Sequence, residues 1–216
     1  MKQLSLTQEY LLCVLNKNGK LSAFDLQKIL CLSAAGVLEL LLDDVFVLDG
    51  KKLKVRSSLP EEKRFLLPVY EIVEKKQPVK FESVVEHFSV SLSDKPIREL
   101  TESIGDALVQ AGCAQKEKRG LFGGKDVFLP DEAAVDAIVQ SIRAELLENG
   151  ALSEDVIALT ALLNKSGDLQ KYFSAYEKKD LKKRLKEIKE DPQNEMIQKA
   201  VDYVETLFLM VVVAAT

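Results

Sequence analysis

Residues 113–130 read CAQKEKRGLFGGKDVFLP. Two short segments flank a glycine-rich tip, so the stretch is expected to be a β-hairpin. Lys116, Lys118 and Arg119 lead into the tip, and Leu121 and Phe122 form its crest. Before it stands KPIRELTESIGDALVQAG, residues 95–112, a helical pattern that Gly112 closes. A helix followed by a hairpin is the order of a winged-helix DNA binder, so the fold turns on what surrounds the pair.

Outward from the hairpin the chain is helical. Pro130 and Asp131 start a long helix to about Glu148, and Ser153 caps another, which Gly167 ends. YEKKDLKKRLKEIKE, residues 176–190, is a basic helix, and Pro192 separates it from a last helix that ends in LFLMVVVAAT. Toward the N-terminus, Ser5 and Gln8 have capping-box spacing ahead of a helix over 6–16. Helices are expected over 23–31 and from Ser33, and then VFVLDGKKLKV as a second hairpin around Asp49-Gly50. Pro60 opens the next helix, which ends near Gln77-Pro78, and FESVVEHF is a short one. With no repeat, low-complexity linker or clear domain break, the expectation is one domain over 1–216: mainly α, a helical bundle with two peripheral β-hairpins.

The 216 residues carry 30 Lys and Arg against 34 Asp and Glu, a net charge of −4, so no basic field covers the whole protein. The helix over 95–110 bears Glu99, Glu102 and Asp106 beside Lys95 and Arg98, a poor match to a phosphate backbone, so nucleic acid is the disfavoured partner. His87 is the single histidine and lies among apolar residues; it completes no catalytic relay. No Cys or His cluster has zinc spacing, and GLFGG lacks the Gly-Lys-Ser/Thr ending of a phosphate-binding loop. Nothing positive supports an enzyme, a metal or a cofactor. Cys13, Cys31 and Cys113 read as buried free thiols of a reducing cytoplasm. LFLMVVVAAT is too short to span a bilayer and reads as the end of a core helix. In the basic run 177–190, Leu181, Leu185 and Ile188 form the core stripe of an amphipathic helix; its cations are a solvated face or a contact to anionic lipid.

Several pieces in order resemble the Golgi phosphoprotein 3 family. They are LSLTQEYLLCVLNKNGKLS, LSAAGVLELLLDDVFVLDGKKLKV, IGDALVQAGCAQKEKRGLFGGKDVFLP, VIALTALLNKSGDLQKYF and the apolar terminus, which together cover nearly the whole chain. The resemblance implies a mainly helical bundle with peripheral hairpins. It implies a non-enzymatic peripheral membrane adaptor that binds phosphatidylinositol 4-phosphate, at the cytosolic face of the Golgi in a eukaryote, with membrane proteins as cargo. The family's headgroup pocket uses an aromatic residue and three arginines. Ungapped placement puts the aromatic on Phe24, the first arginine on Ser33 and the paired arginines on Arg98 and Thr101. Two of the arginines are thus replaced. Lys28, four residues after Phe24, and Lys95, three before Arg98, can share their faces. The expected reduced anionic-lipid site is therefore Phe24, Lys28, Lys95 and Arg98. Lys116, Lys118, Arg119, Leu121 and Phe122 would meet the membrane or a second subunit of a homo-oligomer. The family's basic N-terminal arm is not expected, since the chain opens on the domain. A winged-helix nucleic-acid binder and an oligomerising protein without lipid binding remain as alternatives.

Overall fold

The structure, a computed structural model, describes residues 4–21, 25–89, 93–120, 124–147 and 152–195, together with 198 and 202. Its described residues form eight α-helices and two small antiparallel sheets, as expected of a mainly α protein with hairpins. The order is α1 (Leu6–Val14), α2 (Leu26–Leu42), β1 (Phe46–Asp49), β2 (Lys52–Val55), a 3-10 turn (Glu61–Leu66) and α3 (Leu67–Lys76). Then come β3 (Val79–Lys80), α4 (Phe81–Ser89), α5 (Lys95–Gln110), β4 (Ala114–Arg119) and β5 (Lys125–Pro130). α6 (Glu132–Leu147), α7 (Glu154–Lys165), a 3-10 turn (Leu169–Tyr172) and α8 (Glu177–Glu190) complete it. The expected last helix and apolar terminus lie almost wholly outside the described residues.

Helix α2 is the centre. Every residue from Ile29 to Leu41 is buried, and α1, α3, α4 and α7 pack around it. A helix that is apolar on all sides is a core helix. The expected break before Ser33 is absent: α2 runs through it. Ser33 is fully buried, and its hydroxyl donates to the Ile29 carbonyl at 2.9 Å, so the helix itself satisfies the polar group. Pro60 likewise opens a 3-10 turn rather than an α-helix, and α3 begins only at Leu67, with Pro68 in its first turn.

The first hairpin gains a strand that the sequence did not suggest, because β3 is only two residues long and pairs Val79 with Leu53. Its turn also shifts by one residue. The register Asp49↔Lys52 leaves Gly50 and Lys51 in the turn, with Gly50 at φ +62°, the glycine-first pattern of a type II′ hairpin.

Two buried carboxylates hold the ends of α1. At its start, Glu39 of α2 is 3% exposed, accepts the Thr7 N–H at 2.8 Å and pairs with Lys63 at 2.8 Å. This N–H is one of the donors that a helix start leaves without an intrahelical partner, and the negative charge suits the dipole there. At the other end, Lys28 donates to the Val14 carbonyl at 3.4 Å and pairs with Asp168, 1% exposed, at 3.2 Å. Asp168 also accepts from the Ser166 hydroxyl and Lys171. Tyr172 closes the same end by donating to the Cys13 carbonyl at 2.6 Å.

The second hairpin docks by close approach. Phe128 of β5 is 1% exposed, and a Cβ on Gly105 of α5 would lie 2.6 Å from its ring. On the other side the turn after α1 meets the strand backbone. The Gly19 carbonyl accepts from the Phe128 N–H at 2.9 Å, and a Cβ there would lie 2.7 Å from that backbone. Only glycine fits either contact.

Glu39→Ala should destabilise the protein by about 3 kcal/mol in denaturant titration, since it orphans the Thr7 N–H and removes one of the two carboxylates that hold Lys63; a loss below about 0.5 kcal/mol would contradict the clamp. Gly105→Ala should cost about 2 kcal/mol through overpacking against Phe128. Adding Phe128→Leu should recover part of that loss, and an additive double variant would count against the contact.

Candidate functional site

A cleft of about 400 Å³ opens where the first turn of α5, β5 and the Asn16–Leu21 turn meet. Ile29, Ile97 and Phe128 supply its apolar lining. Lys20, Arg98 and Lys125 bring positive charge to it, opposed by Asp94, Glu102 and Asp126. Three cations thus face three carboxylates, and the surface is concave but charge-balanced. Arg98 lies 3.5 Å from Asp94 and 3.9 Å from Glu102. Lys125 reaches Asp94 at 3.0 Å and, chiefly through that hydrogen bond, holds its carboxyl below the usual range.

Of the four residues expected at a headgroup site, only Arg98 is seen in this cleft. Phe24 lies outside the described residues. Lys28 does not line the cleft: its side chain is 15% exposed and its ammonium is committed to Asp168 and the Val14 carbonyl. Lys95 sits on the outer face of α5, 3.6 Å from Glu99. The two positions where the resemblance would place arginines offer no donor either. Ser33 is buried inside α2, and the Thr101 hydroxyl turns onto the Ile97 carbonyl at 2.7 Å. Lys20 and Lys125 were not singled out from sequence. Lys20 follows Asn18-Gly19 in the turn after α1 and Lys125 is the first residue of β5, so no helical period ties either to Arg98.

The hairpin's cations are mostly engaged with the protein itself. Lys116 bridges Asp106 of α5 at 2.8 Å and Asp126 of β5 at 2.9 Å, and lies over the Phe128 ring at 5.4 Å. The hydrogen bonds it donates to Asp106 and Asp126 raise its pKa. It fastens the hairpin to α5. Arg119 pairs with Glu117 at 3.0 Å and reaches Asn18 at 3.5 Å. Lys118 is exposed, with no ion pair among the described residues. Leu121 and Phe122 lie outside the described residues.

The opposite end of α1 carries a larger cleft, about 840 Å³, between the start of α1, the 61–66 turn and the last turns of α5. Glu39, Asp43, Glu61, Glu62, Asp106 and Asp155 line it against Lys63 and Arg64. Lys63 spans Glu39 and Asp43 at 2.8 and 2.7 Å. Burial opposes its charge, but these carboxylates more than offset that and raise its pKa. Among the described residues, no group of three or more His, Cys, Asp or Glu side chains is placed to hold a metal. His87 is half-buried against Phe88, and burial lowers its pKa. Cys13 and Cys31 are pushed up to about 12 by burial, so both are inert thiols.

Glu9 stands near this acidic end. Burial first, and then Asp155, Glu39 and Glu145, push its pKa up to about 7. The folded state therefore holds an extra proton between the unfolded carboxylate's value and about 7, and stability falls as pH rises through that window. Glu9→Gln should match the wild type at pH 4 and exceed it by about 2 kcal/mol at pH 8 in denaturant titrations; equal stability at both pH values would contradict the shift.

Among the described residues, no helix is long and apolar enough to cross a membrane. No curated protein matches the chain. The family model of Golgi phosphoprotein 3 (GPP34) matches residues 6–204, spanning the clamp at both ends of α1, the cleft, the hairpin and α8. With that match over nearly its whole length, the chain belongs to the Golgi phosphoprotein 3 family.

Proposed function

We propose that the protein is a non-enzymatic peripheral adaptor that rests on an anionic membrane with the Arg98 cleft toward the headgroups. One observation carries the reading: charge is unevenly divided along α1. The cleft at the helix start sets six carboxylates against Lys63 and Arg64, while the apolar hollow beyond its end is charge-balanced, with Lys20, Arg98 and Lys125 facing Asp94, Glu102 and Asp126. A headgroup phosphate, phosphatidylinositol 4-phosphate by family kinship, would take the Arg98 guanidinium as its forked donor and Lys20 and Lys125 as point charges. Asp94 and Glu102 compete for the same donors, so binding is weak and falls with salt. The cargo would be a membrane protein held at that surface. A DNA wing is the poorer reading, because Lys116 and Arg119 are tied to carboxylates and, among the described residues, Lys118 alone of the three has no ion pair.

Flotation with phosphatidylcholine vesicles, with and without phosphatidylinositol 4-phosphate, tests the proposal. The wild type should float with the phosphoinositide at low salt. Arg98→Ala should lose about tenfold in affinity, the scale of one charge-assisted hydrogen bond. Asp94→Asn should gain several-fold by freeing Arg98 and Lys125. No flotation, or no difference between wild type and Arg98→Ala, would overturn it.

A further inference from the structure

Helix α8 carries seven lysines and arginines against four acids, in a chain whose net charge is −4. It is anchored by a narrow stripe: Leu181 and Ile188 are buried, and Leu185 packs in part on the core. Around that stripe the charges separate. Lys178, Lys182 and Lys186 follow one another at i, i+4 spacing, with Lys179 beside them. Asp180 and Glu187, seven residues apart, share the other flank, where Lys183 and Arg184 reach Glu187 at 3.8 and 3.0 Å. All four lysines of the row are exposed, and Lys178, Lys179 and Lys182 have no ion pair among the described residues. Among the described residues Lys186 has only Glu190, at 3.7 Å. At the head of the row stands Tyr176, 86% exposed.

A helix built only for solubility interleaves its signs, so that each lysine meets an acid one turn away. Like charges at i, i+4 work against the helix that carries them. The row is relieved when an anionic surface neutralises it. Its chemistry suits lipid: lysine ammoniums are mobile point charges on long apolar stems, and an exposed tyrosine sits well at headgroup depth. Base reading in nucleic acid favours forked arginines, and the row has none.

The helix also starts at the cleft end of the molecule. Asp168 holds Lys28, and Tyr172 holds the Cys13 carbonyl, at the end of α1 beyond which Asn16 and Gly19 line the cleft. Arg143 of α6 then joins Glu177 in the first turn of α8 to the Tyr172 carbonyl. We infer that Tyr176, Lys178, Lys179, Lys182 and Lys186 form a second membrane contact, one that takes anionic lipid by charge rather than by headgroup identity. That the row meets the same membrane as the cleft rests on the reading above; its attraction to an anionic surface does not.

Co-sedimentation of the full chain with phosphatidylserine-containing vesicles tests this, with Lys178→Gln, Lys179→Gln, Lys182→Gln and Lys186→Gln combined. Each lysine contributes about fivefold to partitioning, so the variant should lose roughly a hundredfold or more. A charge-matched control, Lys51→Gln, Lys52→Gln, Lys75→Gln and Lys76→Gln, should bind as the wild type does. Arg98→Ala is read on phosphatidylinositol 4-phosphate vesicles alone; failure of the cleft reading would appear there as no loss, while the row variant still loses its phosphatidylserine binding. Circular dichroism melts verify that the variants fold. The inference is overturned if the wild type ignores phosphatidylserine vesicles, if the row variant binds them unchanged, or if the control loses as much as the row variant. It is equally overturned if RNA, rather than vesicles, binds the wild type and depends on the row.

Discussion

Two buried carboxylates fix α1 against α2, and that clamp sets which segments lie at each end of the pair. Glu39 takes a backbone donor at the start of α1 and an ammonium from the 61–66 turn. Asp168 takes Lys28, which itself reaches the Val14 carbonyl at the end of α1. Each charge is buried, paired and hydrogen-bonded, the condition under which a buried ion is tolerated. Both pairings follow the helix dipole, with the anion at the start of α1 and the cation at its end. The 61–66 turn is thereby held at one end of the pair, and the segment leading to α8 at the other.

This arrangement gives the molecule two unlike ends. Lys63 crosses the acidic cleft between Glu39 and Asp43, and burial first, with the nearby carboxylates second, pushes Glu9 toward neutrality. The other end collects Lys20, Arg98 and Lys125 around an apolar hollow, with α8 starting nearby. Salt bridges already occupy much of that charge. A phosphate proposed for this surface would have to outcompete Asp94 and Glu102, and salt would screen its attraction.

Most of the helices and both hairpins were legible because period, caps and glycine stops are local signals. Ser153 does cap α7, accepting from the Val156 N–H at 3.3 Å, and Asp131 caps α6 through Ala134. What misled were residues with two local meanings. Ser33 looked like a helix start, yet its hydroxyl is satisfied by the turn below it. Pro60 looked like an α-helix start and begins a 3-10 turn. The site was less legible. Arg98 was found, but Lys28 had the right spacing for a surface pair and is claimed by Asp168, 140 residues further along the chain. Lys20, Lys125 and the bridge from Lys116 to Asp106 depend on the hairpin folding back over α5, which no spacing within one helix records.

The central claim is that one end of the α1–α2 pair faces an anionic membrane. Headgroup-quenching fluorescence tests it directly, because the buried native thiols leave single introduced cysteines to take the label. Probes at Asn18→Cys and Ala175→Cys should be quenched on phosphatidylserine and phosphatidylinositol 4-phosphate vesicles, and probes at Leu48→Cys and Glu62→Cys should not. Quenching at residue 62, or none at residues 18 and 175 on vesicles that bind the protein, would contradict the account.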